Sequence, residues 1–264
     1  MLRTVSASLG LRLNGPTDLI FLMAATPTGD DFEDSFTVTL DGEPVPVREF
    51  PARHGARVHR VAANAGAMQV EYRGRVSGRG VPDEPSELEL VEYLRPSRYA
   101  ETDALGGIAR REFGRARGFE ALVAVEEWVH SHLSYVYGST VATGGAAQVI
   151  ESGQGVCRDF AHTVVGLLRA LDIPARVTAV YAPGLEPRDF HAVSEAWVDG
   201  AWHAVDATRL APRPSMLRIS SGRDTADTAF LSSYLTDLRL ETMNVEATCD
   251  EVVEDDHVSP VRLG

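Results

Sequence analysis

The sequence predicts an α+β chain: an antiparallel β-sandwich at the N-terminus, followed by a domain in which a helix packs on an antiparallel sheet. Three observations predict it. Apolar and polar residues alternate through the first third, the period of half-buried strands. Beyond about residue 90 the apolar spacing becomes helical. Two further alternating runs then meet at Asp199-Gly200, a strong short-range hairpin signal.

The first run is Val5, Ala7, Leu9, Leu11 and Leu13. Phe36, Val38 and Leu40 form a second, closed by Asp41-Gly42, and Met68, Val70 and Tyr72 a third. Gly, Pro, Asn and Asp separate them, which suggests a small sandwich ending near Val76 and a first domain over 1–80. His54 and His59 fall here and read as surface or strand residues, not ligands. Ser77 to Glu89 reads as a linker. Phe119, Leu122, Val125, Val129 and Leu133 then mark an amphipathic helix, with Trp128 and His132 read as packing. Thr143-Gly144-Gly145 is too short for a phosphate loop. The second domain is expected over 90–247. Residues 248–264, with Asp250, Glu251, Glu254, Asp255 and Asp256, read as a frayed acidic tail.

Composition narrows the function. With 264 residues, 44% hydrophobic and 24% charged, the chain can bury a proper core. A net charge of −13 with no basic cluster disfavours nucleic acid. Leu19 to Ala25, the longest apolar stretch, is far too short to span a bilayer. Met1 to Gly10 alternates like a strand and lacks the core of a signal peptide, so the cytoplasm is the expected location and no membrane partner is expected. All 25 basic residues are arginine. Codon bias in an Ala-, Gly-, Arg- and Val-rich sequence accounts for that, although an enzyme that acylates lysine amines would also be unable to modify itself. The two cysteines are Cys157 and Cys249, and nothing suggests that they pair. The sequence does not indicate an oligomeric state.

Gly153 to Thr208 carries the chemistry. Gly153-Gln154-Gly155-Val156 leads into Cys157-Arg158-Asp159-Phe160-Ala161-His162, after which Val164, Leu167, Leu168 and Leu171 keep a helical period until Pro174. Cys157 thus falls in the first turn of a helix. There, free N–H groups and the helix dipole favour a thiolate and can hold an oxyanion. A buried structural cysteine is the plain alternative, and the partners decide against it. Across the Asp199-Gly200 turn Val198 faces Ala201, so Asp206 lies opposite Val193 and diagonal to His191. Diagonal Cα atoms are roughly 7–8 Å apart, close enough for a carboxylate to hydrogen-bond an imidazole. Asp206 can therefore orient His191, and His191 can take the Cys157 proton. A β-bulge would break this register.

Other polar residues read as structural. His203 faces away from His191. His162 lies about 140° around the helix from Cys157, as packing or a helix–sheet hydrogen bond. Trp197 and Trp202 form a cross-strand pair. Glu195, on the His191 face, is left unassigned. A zinc site built from Cys157, His162, His191 and Asp206 lacks the short paired spacings of such sites, so no metal is expected. Redox sensing by Cys157 would need a resolving cysteine, and Cys249 sits in the expected tail.

Gly155 to His162, Ile173-Pro174-Ala175-Arg176, His191-Ala192 with Glu195-Ala196-Trp197, and Trp202 to Thr208 together resemble the bacterial transglutaminase-like superfamily. The spacings of 34 and 15 residues in the order Cys, His, Asp fit as well. Leu94 to Tyr99 and Gly222 to Asp227 resemble one bacterial subfamily with a β-rich N-terminal region, which extends the resemblance from about residue 5 to about 245. The resemblance implies a papain-like arrangement, no cofactor, and Cys157, His191 and Asp206 as nucleophile, base and orienting residue. No motif assigns the second oxyanion donor; Gln154 is a weak candidate. Expected is thiol chemistry at amide bonds of a peptide or protein through a Cys157 thioester. Hydrolysis is preferred over cross-linking, because no amine-binding site is visible. The competing expectation is a non-catalytic binding or assembly module of the same fold.

Overall fold

A computed structural model describes residues 1–80 and 84–263. Part of the expected linker, residues 81–83, lies outside the described residues. The N-terminal third is built of β1 (Leu2–Leu13), β2 (Thr17–Phe21), β3 (Asp31–Leu40), β4 (Glu43–Pro44), β5 (Arg48–Pro51), β6 (Arg57–Ala63) and β7 (Gly66–Ser77). The alternation seen in the sequence is the burial pattern: Val5, Ala7, Leu9, Leu11, Leu13, Val38, Met68, Val70 and Tyr72 all point into one core.

The rest of the chain begins with α1 (Glu87–Glu92). Ser86 caps it by accepting the Glu89 N–H, and the Glu89 carboxylate reaches back to the Ser86 N–H. The helix thus starts inside the segment expected to be linker. Next come α2 (Thr102–Phe113), α3 (Gly118–His132), β8 (Ser134–Tyr135), α4 (Ala146–Ser152), β9 (Gln154–Gly155) and α5 (Cys157–Arg169). Then follow β10 (Ala175–Tyr181), β11 (His191–Val198), β12 (Ala201–Val205), β13 (Leu217–Gly222), α6 (Thr225–Thr228), β14 (Leu231–Tyr234) and β15 (Leu238–Cys249).

Among the described residues the strands form a five-stranded sheet β15-β1-β7-β3-β4, a four-stranded sheet β14-β2-β6-β5, a central sheet β12-β11-β10-β13, and a short parallel pair β8-β9. The chain therefore returns to its beginning. β15 pairs with β1 along its length, and β14 pairs with β2. The last two strands of the segment expected as the second domain complete the N-terminal sheets.

The two halves share a core. Tyr181, Leu217 and Ile219 of the central sheet pack into the N-terminal cluster. The Tyr181 hydroxyl donates to the Met23 carbonyl at 2.7 Å, and its ring stacks on Tyr72 at 6.0 Å. His54 also belongs to this junction: its ring is buried, hydrogen-bonded to the Tyr93 hydroxyl at 2.7 Å and against Arg176 at 3.2 Å. A surface reading of His54 fails because a tight turn, with φ of 57°, folds this residue back onto the second half. His59 is a strand residue whose ring stacks on Phe36 at 4.0 Å.

The terminal segment is not frayed. Asp255 accepts three hydrogen bonds from Arg213, from its main-chain N–H and two guanidinium nitrogens, at 2.7–2.9 Å. The Ala204 N–H donates to the Val261 carbonyl at 2.8 Å, and Leu263 is buried beside Val193 and Met216. The acidic composition hid two things: one carboxylate has a buried arginine as partner, and Val261 and Leu263, which follow the acids, pack on an apolar cluster with Val193 and Met216. Cys249 is likewise no tail residue; it ends β15 opposite Arg3.

Candidate active site

Helix α5 is buried on almost every side, with α2, α3 and α4 around it and β10 and β11 beneath. Its C-terminal end is held by Arg169. That buried guanidinium donates to the carbonyls of Ala175, Arg95 and Arg223 and to the Ser97 hydroxyl at 2.7–3.1 Å. Leu94 to Tyr99 and Gly222 to Asp227 are thereby drawn to one end of α5.

At the other end, Cys157 is the first helical residue and is half-buried. Val156 is extended before it, and the Asp159 carboxylate accepts the Val156 N–H at 2.9 Å and the Thr140 hydroxyl at 2.6 Å. This is the carboxylate half of a capping box, and it satisfies one of the donors left free at a helix start. Gly155 is required for the approach: a Cβ there would lie 2.6 Å from the Asp159 Cβ.

The hairpin has the register read from the sequence. Val198 pairs with Ala201, Trp197 with Trp202 and Ser194 with Val205. Asp199 and Gly200, with φ of 50° and 76°, form the turn, a conformation that suits Asp-Gly. His191 opens β11 and Asp206 follows β12. The His191 Nε2–H donates to Asp206 Oδ2 at 2.9 Å, with both side chains buried. The other carboxylate oxygen accepts the Thr208 N–H at 3.0 Å and the Thr208 hydroxyl at 2.7 Å. His191 Nδ1 is buried and meets no aligned hydrogen-bond partner. Cys157 is among the groups that favour the charged ring, and catalytic hydrogen bonds are commonly long or poorly aligned before substrate binds.

The electrostatics follow from these contacts. Burial opposes a charged imidazole, but the Asp206 carboxylate and, to a smaller extent, Cys157 hold His191 up at about 10. Burial likewise works against the Asp206 charge, yet His191 and Thr208 bring that carboxyl below its usual range. The pair is thus an ion pair in the interior, with the ring positioned and its second nitrogen free for the sulfur. Among the described residues, no three His, Cys, Asp or Glu side chains gather as a metal-ligand group.

The remaining candidates lie elsewhere. The Gln154 side chain is exposed beside a small cleft lined by Thr140, Gln148 and Asp159, and makes no hydrogen bond to Cys157 or His191 among the described residues. His162 is buried; its Nε2 accepts the Thr225 N–H at 3.2 Å while its ring stacks on Tyr99 at 5.2 Å. Burial and the nearby Arg158 charge bring it down to about 3. His203 donates to the Val198 carbonyl and packs on Phe119. Trp128 packs edge-on against Phe113 and stacks on His132. Glu195 belongs to a buried ion network with Arg176, Arg218 and Thr178. Two residues at the site had no assigned role from the sequence. Thr208 was visible in Asp206-Ala207-Thr208, since a hydroxyl two residues after an aspartate commonly bonds back to it. Tyr135 had no local signal, because strand pairing alone brings it to Gly155.

Comparison with known proteins places this geometry. The family model of the transglutaminase-like superfamily matches residues 109–207. The crystal structure of a candidate cysteine protease from Cytophaga hutchinsonii is similar over 99% of this chain and 93% of that chain, with 31% identity and a TM-score of 0.87. The chain belongs to the transglutaminase-like superfamily. The superfamily is one of thiol enzymes, and its fold accounts for the helix-on-sheet arrangement as well as the β-rich N-terminal region. An uncharacterized protein from Mycobacterium leprae is 28% identical over 148 residues, covering 52% of this chain. The chain aligns with about half the length of that curated relative, 53%. The periplasmic domain of TgpA from Pseudomonas aeruginosa is similar at 17% identity and a TM-score of 0.44, over 76% of this chain and 87% of that domain.

Proposed function

We propose that this superfamily member is a cysteine-dependent enzyme that cleaves or transfers acyl groups at amide bonds of a peptide or protein, with hydrolysis preferred. One observation carries the reading: the Asp206 carboxylate fixes His191 through Nε2 at 2.9 Å and leaves Nδ1 for the thiol at the mouth of α5. Asp206 sets the ring tautomer and stabilises the imidazolium. The proton of Cys157 resides on His191 in a thiolate–imidazolium pair, and the sulfur attacks the amide carbon. The tetrahedral intermediate collapses as His191 protonates the leaving amine, giving a thioester. Water then releases the acid, with His191 as base. The relative from Cytophaga hutchinsonii, described as a candidate cysteine protease, supports the preference for hydrolysis.

The test is intact-mass spectrometry of the protein after incubation with a peptide library, wild type beside Cys157→Ala. An acyl adduct on the wild type alone, discharged by water, is the expected result. No adduct, together with alkylation of Cys157 by iodoacetamide only as fast as a free model thiol, would leave a binding module instead.

A further inference from the structure

We infer that the cavity at the junction of the two halves binds a small organic carboxylate, at a site separate from Cys157 and independent of the thiol-enzyme reading. The cavity holds about 350 Å³, a volume typical of small-ligand pockets, which favour such junctions. Leu22, just after β2, and Val58 of β6 line it from the N-terminal half. Ser220 of β13, with Glu92, Arg223 and Asp227, lines it from the other half, and Arg53 closes the rim. Its place in the fold sets it apart from the chemistry. The Arg223 carbonyl accepts from Arg169, the last residue of α5, at 2.7 Å, whereas Cys157 is the first. Those two ends of the helix are about 18 Å apart.

The Ser220 hydroxyl is the decisive group. Ser220 is 2% exposed, and its Oγ has no hydrogen-bond partner among the described residues. A buried hydroxyl left so costs free energy unless something else satisfies it. Ser220 pairs with Ala179, whose side chain packs on the N-terminal cluster, so both face the cavity side of the sheet. Ser221 turns the other way, to Thr178 and Glu195.

The charged groups around it are unevenly matched. Asp227 accepts from the Arg223 main-chain N–H and Nε at 2.9 Å and from Nη2 at 3.1 Å. Glu92 accepts from Arg53 Nη1 at 2.8 Å. Both carboxylates thus already hold an arginine. Arg53 Nε and Nη2 and Arg223 Nη1 donate to no residue among those described. A ligand that fits must bring acceptors to these donors and to Ser220, and apolar surface to Leu22 and Val58. A carboxylate does the first, because its two oxygens suit a guanidinium fork. A short aliphatic body does the second. A cation would meet donors at each open position.

The experiment titrates the Cys157→Ala chain, which cannot turn over an amide, with N-acetylleucine and with its uncharged counterpart N-acetylleucinamide. Calorimetry should show one site for the acid and binding about tenfold weaker or worse for the amide. Arg53 is exposed at the rim, so Arg53→Gln tests the charge without disturbing the core; it should weaken the acid by about tenfold. Ser220→Ala should weaken it by roughly three- to tenfold, with no fall in the melting temperature of the ligand-free protein, since no internal bond is lost. The peptide acetyl-Ala-Ala-Leu with a free C-terminus separates two sources of such a carboxylate. Tighter binding than N-acetylleucine assigns the end of a peptide chain, equal or weaker binding assigns a free acid, and either result sustains the site. The inference is overturned by no saturable binding of the acid up to about 10 mM, by equal binding of acid and amide, by variants that bind as the parent does, or by a Ser220→Ala protein that melts earlier.

Discussion

Asp206 Oδ2 and His191 Nε2 lie 2.9 Å apart across the β11–β12 hairpin, each side chain 1% exposed. An ion pair so placed is neither screened by salt nor reached by water. It governs both the direction in which the ring points and the pH range over which it carries a proton.

Asp206→Asn removes the charge and keeps the shape. An amide can donate to Nε2 and so select the wrong tautomer. We expect the fold to persist by circular dichroism and the acylation rate to fall by roughly 10²–10⁴-fold. Equal turnover by the variant and wild type would remove Asp206 from the mechanism.

The same pair predicts an alkaline limb. His191 is raised to about 10 by Asp206, so protonation of the leaving amine should fail as pH rises through that value in wild type. In Asp206→Asn the limb should move to lower pH, because the group that raises the imidazole is gone. The stability effect has the same sign. A folded-state value above the unfolded value of about 6.5 contributes stability that is full below 6.5 and is lost as pH rises through about 10. Denaturant midpoints of wild type and Asp206→Asn, measured from pH 6 to 11, should converge at the alkaline end.

Glu195 sits between Arg176 and Arg218 with no exposed surface. Burial opposes its charge, but the two guanidinium groups bring its carboxyl down to about 2. Glu195→Gln removes the carboxylate charge held between two buried guanidinium groups and should cost about 3–5 kcal/mol, read from urea unfolding. The carboxylate's contribution is full above the unfolded value of about 4.3 and should be lost as pH falls through about 2. A variant as stable as wild type would show that the network is electrostatically idle.

Asp255→Ala tests the packed C-terminal segment. It removes three bonds from a buried Arg213, and charge-assisted bonds of this kind are worth about 1.5–3 kcal/mol. Limited proteolysis should cut the variant within residues 250–263 and spare wild type. Equal cutting of both would return this segment to a loose tail.

By itself the sequence determined what depends on neighbours along the chain. The period-2 and helical spacings located β1, β3, β7, α3 and α5. A two-residue turn at Asp199-Gly200 left one register open to the hairpin, and that register set Asp206 beside His191. Only the tertiary structure decided what depends on distant segments meeting. The pairing of β15 with β1, the docking of His54 and Asp255 onto buried arginines, and the arrival of Tyr135 at Gly155 all join residues whose local sequence is uninformative. Backbone pairing and burial of charge gain their free energy from the partner. A lone acidic residue or a two-residue strand carries no sign of which partner that will be.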